Sequence, residues 1–195
     1  SAKNKELHEL KLATSSLRRR AFWLKNFPNA EFSDIRGNIQ TRLQKLEEGD
    51  FDATILSLAG IKRMKMDIDY EMIPFLIPAP SQGVIAVAGH SDKTEINEII
   101  RQFTNHKNTQ ICVEMERNFL STLEGGCTAP IGAFAELFED QIRFKAALCS
   151  LDGKNSIATD ESFIYNNEEN FGEKFAKTVL ENGGKELMAE IKSQI

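Results

Sequence analysis

At 195 residues, with 41% apolar and 27% charged residues, the chain has the size and composition of one large or two small globular domains. Its most apolar stretch, 75–88, is broken by Pro78, Pro80, Ser81 and Gln82, which excludes a membrane span there, and residues 1–10 are too polar to read as a secretion signal. The net charge of −5 is uneven: residues 1–66 hold 13 Lys and Arg against 8 Asp and Glu, the remainder 11 against 21, so a localised anion site is favoured over a surface that coats nucleic acid.

In chain order, 11–14 predicts a short strand, and Ser15 and Ser16 cap a helix that runs to Phe27, where Pro28 stops it. Leu17, Ala21, Leu24 and Phe27 are its expected apolar stripe. Arg18, Arg19 and Arg20 crowd its first turn, where the helix dipole disfavours cations, and such a broken local rule points to an anion site. A second strand over 31–35 leads through Arg36, Gly37 and Asn38 into a helix over 39–48 that carries Arg42 and ends at Gly49. A third, over 53–58, reads as a buried parallel strand and turns at Ala59-Gly60 into a short helix with Lys62 and Arg63. In a parallel sheet with right-handed crossovers these turns share one edge, so Arg18, Arg19, Arg36, Arg42 and Arg63 are expected to face one crevice. Arginine forks bind carboxylates in pairs, so the ligand should carry several carboxylates or phosphates. No phosphate-binding glycine loop of the GxxxxGK[ST] or GxGxxG type is present.

Beyond it, Pro78-Ala79-Pro80-Ser81-Gln82-Gly83 reads as a rigid turn into a strand over 84–88, followed by an amphipathic helix over 92–103 and a linker at 105–108. Ile111, Cys112, Met115, Phe119 and Leu123 then form a helical stripe. Strands are expected at 131–138, 142–150 and 156–163, and helices at 168–182 and 184–194. Between stripe and strands lies Leu123-Glu124-Gly125-Gly126-Cys127-Thr128-Ala129-Pro130, a thiol on a tight loop rather than on a core face, which reads as a covalent handle. Cys112 and Cys149 read as structural. Three cysteines without a CxxC pair and three scattered histidines give no disulfide framework or zinc site and fit a reducing cytoplasm.

Taken in order, Ala13-Thr14-Ser15-Ser16-Leu17-Arg18-Arg19, Ile35-Arg36-Gly37-Asn38 with Thr41-Arg42, Ala59-Gly60-Ile61-Lys62-Arg63, Gln82-Gly83, Leu123-Glu124-Gly125-Gly126-Cys127 and Asn182-Gly183-Gly184 make the chain resemble the porphobilinogen deaminase (hydroxymethylbilane synthase) family over nearly its whole length. The resemblance implies an incomplete α/β domain like that of periplasmic binding proteins over 1–86, a crossover segment over 87–106, and a small α+β domain with a three-stranded antiparallel sheet over 107–195. It implies a transferase of tetrapyrrole and heme biosynthesis that joins four porphobilinogens head to tail, with release of ammonia, on a dipyrromethane cofactor bound covalently to Cys127. By the same resemblance Thr14, Ser16, Arg18 and Arg19 hold that cofactor, and Arg36, Arg42, Arg63, Gln82 and Gly83 meet the substrate. The family works as a monomer, without metal, nucleic acid or membrane.

The family pattern departs at Pro80-Ser81, where a Val-Gly pair is usual. The family also has an N-terminal domain that supplies a catalytic aspartate, with no counterpart before Thr14. The chain opens on Ser1 and enters a strand–helix unit almost at once, so it reads as a fragment without catalytic residues of its own, inactive alone. A second reading, a non-enzymatic anion-binding or regulatory module, predicts a plain thiol at Cys127. A third, nucleic-acid binding through the basic first third, lacks aromatics interleaved with the arginines.

Overall fold

The computed structural model describes residues 5–126, 128–166 and 168–195. After a short 3-10 turn at Leu7–Glu9, three strand–helix units follow: β1 (Leu12–Ala13), α1 (Leu17–Asn26), β2 (Phe32–Ser33), α2 (Ile39–Glu47), β3 (Ala53–Thr54) and α3 (Leu58–Arg63). The three strands are parallel in the order β2-β1-β3, pairing Leu12 with Phe32 and Ala53. All three strand-to-helix turns therefore lie along one edge of the sheet. Each helix is capped in the same way: Ser16, Asn38 and Ser57 accept from the backbone N–H three residues on. Gly37, at φ 116°, precedes the Asn38 cap in a conformation that a side chain would resist.

The third strand ends at Thr54, earlier than expected. Ser57 caps α3, so Leu58 starts the helix rather than ending the strand. The buried side of α1 is also broader than its predicted stripe, comprising Ala21, Phe22 and Trp23. The cause is a double contact. Trp23 packs with Leu10, Leu12 and Ile55 of the parallel region, stacking near Phe27 and Phe75 at centroid distances of 5.4 Å each. Ala21 and Phe22 instead meet Ile77, Ala147 and Cys149. A helix clamped on two sides has no single stripe.

Residues 84–88 form no strand, and Ile85 is 77% exposed. A strand needs a neighbour for its backbone groups, and among the described residues none pairs with it. Helix α4 (Thr94–Thr104) forms as expected, but Ile96, Ile99 and Phe103 on its apolar side are exposed, Phe103 by 85%. The expected linker at 105–108 is instead largely the start of α5 (Lys107–Thr122), capped by His106.

The last region closes on itself. β4 (Ile131–Phe138), β5 (Gln141–Cys149) and β6 (Ser156–Ile164) form an antiparallel sheet in that order. Ile142, Phe144, Ala146 and Leu148 point to one face, where α5, α6 (Phe171–Val179) and α7 (Lys185–Gln194) cover them in one contiguous core. A kink over Leu180–Gly184 links the last two helices, with Asn182 and Gly183 outside helical backbone angles and Gly183 at φ 97°. The opposite face is wet at Arg143 and Lys145, which pair with Asp160, and dry at Ala147 and Cys149, where α1 lands. Gly132 permits that landing: a Cβ there would sit 2.8 Å from Phe22 Cε2 and from Ile77 Cβ. Cys149 is fully buried, with Sγ 3.8 Å from the Ala21 carbonyl oxygen, as a structural thiol should be.

Candidate functional site

The edge that receives β1, β2 and β3 is held by side chains. Ser15 Oγ donates to the Ile35 carbonyl and accepts the Ile35 N–H, both at 2.9 Å, which ties the first turn to the second. Arg19 Nη1 donates to the Ile55 carbonyl at 2.7 Å, which ties the first to the third. Arg20 leaves the group: its Nη2 pairs with Asp34 at 2.7 Å and its Nε donates to the Thr14 carbonyl.

Arg18 and Arg19 stay at the edge without a carboxylate. Arg18 donates to the Ile77 carbonyl and, at 3.2 Å, to Gln82 Oε1. Burial, with the charge of Arg19 next in weight, pushes Arg18 down to about 10, so it is still cationic at neutral pH. Arg19 is lowered by burial first and by the charge of Arg42 second. Arg42 Nε donates to the Gly37 carbonyl at 2.9 Å, so its fork is held at the start of α2. Arg36, beyond Ile35, and Arg63, in the last position of α3, are exposed. Among the described residues none of these five arginines has an ion-pair partner. Hydrogen bonds from Arg18, Arg19 and Arg42 go to neutral oxygens, which leaves their charge uncompensated for a ligand.

Hydrogen bonds thus join Arg18 to Gln82 and Arg19 to the third turn, whereas among the described residues no contact joins Arg36, Arg42 or Arg63 to them. Thr14 is 1% exposed, and its Oγ1 accepts the Ser16 N–H at 3.2 Å. Ser16 Oγ is the cap of α1, accepting the Arg19 N–H. Each hydroxyl oxygen thus already accepts one N–H of the turn. Gly83 lies exposed beside Gln82, at φ 91°. Cys127 lies outside the described residues. Its loop starts where α5 stops: Leu123 is the C-cap, Gly125 N–H bonds to the Leu120 carbonyl, and Ala129 N–H bonds to that of Gly126.

One residue in this neighbourhood escaped the sequence reading. Glu116 of α5 is 5% exposed, and its carboxylate accepts backbone N–H groups from Ser81 and Ala135. The signal was present: Cys112, Glu116, Phe119 and Leu123 follow helical spacing, so the acid sits in register with the apolar stripe.

A ligand suited to this edge carries two or more anionic groups, since unpaired guanidiniums on one edge repel one another unless anions lie between them. Comparison with known proteins identifies a family. The family model described as porphobilinogen deaminase, dipyromethane cofactor binding domain, matches residues 1–98, and that for the porphobilinogen deaminase C-terminal domain matches 110–181. A porphobilinogen deaminase of Campylobacter jejuni is 40% identical over 191 residues, covering 95% of this chain and 61% of the relative. One from Desulfosudis oleivorans is 41% identical over 187 residues, covering 94% and 60%, and one from Chlorobium phaeobacteroides is 38% identical over 189, covering 93% and 60%. The chain spans about three fifths of the length of the curated relatives it matches.

Proposed function

The chain belongs to the porphobilinogen deaminase family, and from that premise we propose that it is the part of a hydroxymethylbilane synthase that holds a dipyrromethane primer on Cys127 and the carboxylates of the growing chain on its arginines. One observation carries the reading: Arg18 and Arg19, adjacent on α1, and Arg42, held at the start of α2, have no carboxylate partner among the described residues, and Arg18 is joined through Gln82 to the turn that docks on the helix leading to Cys127. The donor set fits the primer, whose pyrroles bear acetate and propionate groups.

When bound, the dipyrromethane supplies the pyrrole carbon to which porphobilinogen units are joined. The chain's own residues bind and orient. Arg18 and Arg19 fix the primer's carboxylates, with the Thr14 and Ser16 hydroxyl hydrogens as neutral donors. Arg42, Arg36 and Arg63 take those of incoming or elongated units, and Gln82-Gly83 line the crossing. The neutral-oxygen partners of Arg18, Arg19 and Arg42 keep those forks aimed while leaving their charge available.

We place the proton-transferring aspartate outside this chain, in a domain for which the exposed side of α4 and residues 84–87 form the natural partner. The chain alone is then inactive. The divisions at 1–86, 87–106 and 107–195, the likeness of the first to half of a periplasmic binding protein, and monomeric work in the cytoplasm belong to the same proposal. No helix among the described residues is long and apolar enough to cross a membrane.

The test is the intact mass of a full-length protein carrying this sequence. An addition the size of a dipyrromethane, absent after Cys127→Ser, is the expected result. A plain thiol at Cys127, with no porphobilinogen consumed by either protein, would favour an anion-binding module instead.

A further inference from the structure

The turn 78–83 meets the open edge of β4 with a mismatch of polarity. In the order β4-β5-β6, β4 has one bare side. Ala133 N–H on that side donates to the Pro78 carbonyl at 3.1 Å, an ordinary strand-like bond. Two residues on, Ala135 N–H and Ser81 N–H both need an acceptor, and two donors cannot bond each other. Glu116 resolves this from α5: Oε1 accepts Ala135 N–H at 2.9 Å and Oε2 accepts Ser81 N–H at 2.6 Å. No Lys, Arg or His among the described residues pairs with it, so its charge is held by backbone donors alone.

Ser81 is adapted to this bond at some cost. Its φ is 64°, in the left-handed region, and its Oγ is buried without a hydrogen-bond partner. The next residue, Gln82, accepts from Arg18, whose other Nη reaches the Ile77 carbonyl at the start of the same turn. An unbroken series of contacts therefore runs from α1 through Arg18, Gln82 and Ser81 to Glu116, seven residues before the loop that begins at Leu123.

We propose that Glu116 is a positioning residue: by bridging Ser81 and Ala135, its carboxylate locks the turn that Arg18 binds in register with α5 and the edge of β4, so that the Arg18 guanidinium stays aimed at the ligand edge. This rests on the ligand reading above and adds to it the device that holds Arg18 in place. A glutamine at 116 keeps the shape but turns an amide donor toward one of the two N–H groups, so it breaks one bond without emptying the site.

The experiment uses the 195-residue chain and a synthetic dipyrromethane bearing acetate and propionate groups. Amide exchange and calorimetric binding are measured for wild type, Glu116→Gln, Arg18→Leu and the double variant. Glu116→Gln should keep core protection in β5, speed exchange at Ser81 and Ala135 about tenfold, and weaken binding about fivefold. The double variant should bind no more weakly than Arg18→Leu, because both act through one contact series. Gln82→Ala, which cuts the series outside the core, should give the same non-additivity and stands in if the glutamine variant fails to fold. Additive losses, or unchanged exchange at the two amides, overturn the positioning role and leave the ligand reading intact. A wild-type chain that ignores the probe, or binds it equally well after Arg18→Leu, overturns the ligand reading and the positioning role together.

Discussion

The parallel and antiparallel sheets hold themselves together by different means. In the parallel sheet each strand pairs over two residues, and the rest of the cohesion comes from side chains: Ser15 on Ile35, Arg19 on Ile55, and the Thr54 hydroxyl on the Ala13 carbonyl at 2.9 Å. In the antiparallel sheet, ladders of eight and nine pairs lie over one apolar core. The lesson is a division of labour. The second region stands on backbone pairing and burial, whereas the first spends its polar side chains on the edge that would receive a ligand and leans on its neighbour through α1.

The strongest way to break this contrast is Phe144→Ala. Phe144 is wholly buried, 5.4 Å from Phe175 and 5.6 Å from Phe119 between ring centroids. The loss should be about 3–5 kcal/mol in urea denaturation and should unfold the antiparallel region as one unit. A cost near zero would mean that the core is not continuous. Gly132→Ala tests the lean. Its new methyl would press on Phe22 and Ile77 and cost about 1–3 kcal/mol. Hydrogen exchange should rise in α1 and at Ile77 more than in α5, whereas uniform loosening would show that the first region does not depend on this joint.

A smaller effect appears as a slope. Burial raises the Glu116 carboxyl above its ordinary value of 4.5, outweighing its two backbone donors. Its charging therefore opposes folding, and its favourable contribution is complete below pH 4.5 and lost as pH rises through the raised value. Relative to Glu116→Gln, wild type should gain stability as pH falls from neutral toward 4.5. The exposed Asp160, which Arg143 first and Lys145 further hold below its usual range, acts oppositely, losing its contribution at still lower pH. Equal pH curves for both proteins would count against a buried charge. Ser81→Gly should be the mildest change, a gain of about 0.5–1 kcal/mol in thermal denaturation, because glycine accepts φ 64° freely and removes the unpartnered hydroxyl.

The two regions also differed in how far their sequence could be read. Alternation over 131–163 located three strands to within a residue or two, because each has an apolar and a wetter side and a neighbour to pair with. The caps at Ser16 and Asn38 were equally plain, being local. Residues 84–88 carry the same kind of signal and form no strand, since none of the described residues pairs with them. The stripe of α1 misled for the converse reason: a single-face template cannot show that Phe22 and Trp23 face different neighbours. At the site, motif residues named the arginines, yet only coordinates separate Arg20, neutralised by Asp34, from Arg18 and Arg19. Glu116 was legible in principle, as an acid in core register, but its worth depends on two N–H groups distant in sequence.

The sealing of Cys149 beneath α1 gives the molecule an internal clock. That thiol is fully buried at the joint, and burial pushes it up to about 11, so it is a poor nucleophile until the two regions part. An alkylating reagent read out peptide by peptide would therefore tally separations of α1 from β5 at this one sulfur. The tally can be taken with and without a polyacid on the arginine edge, which turns a packing detail into a gauge of how often the molecule gapes and of what makes it stop.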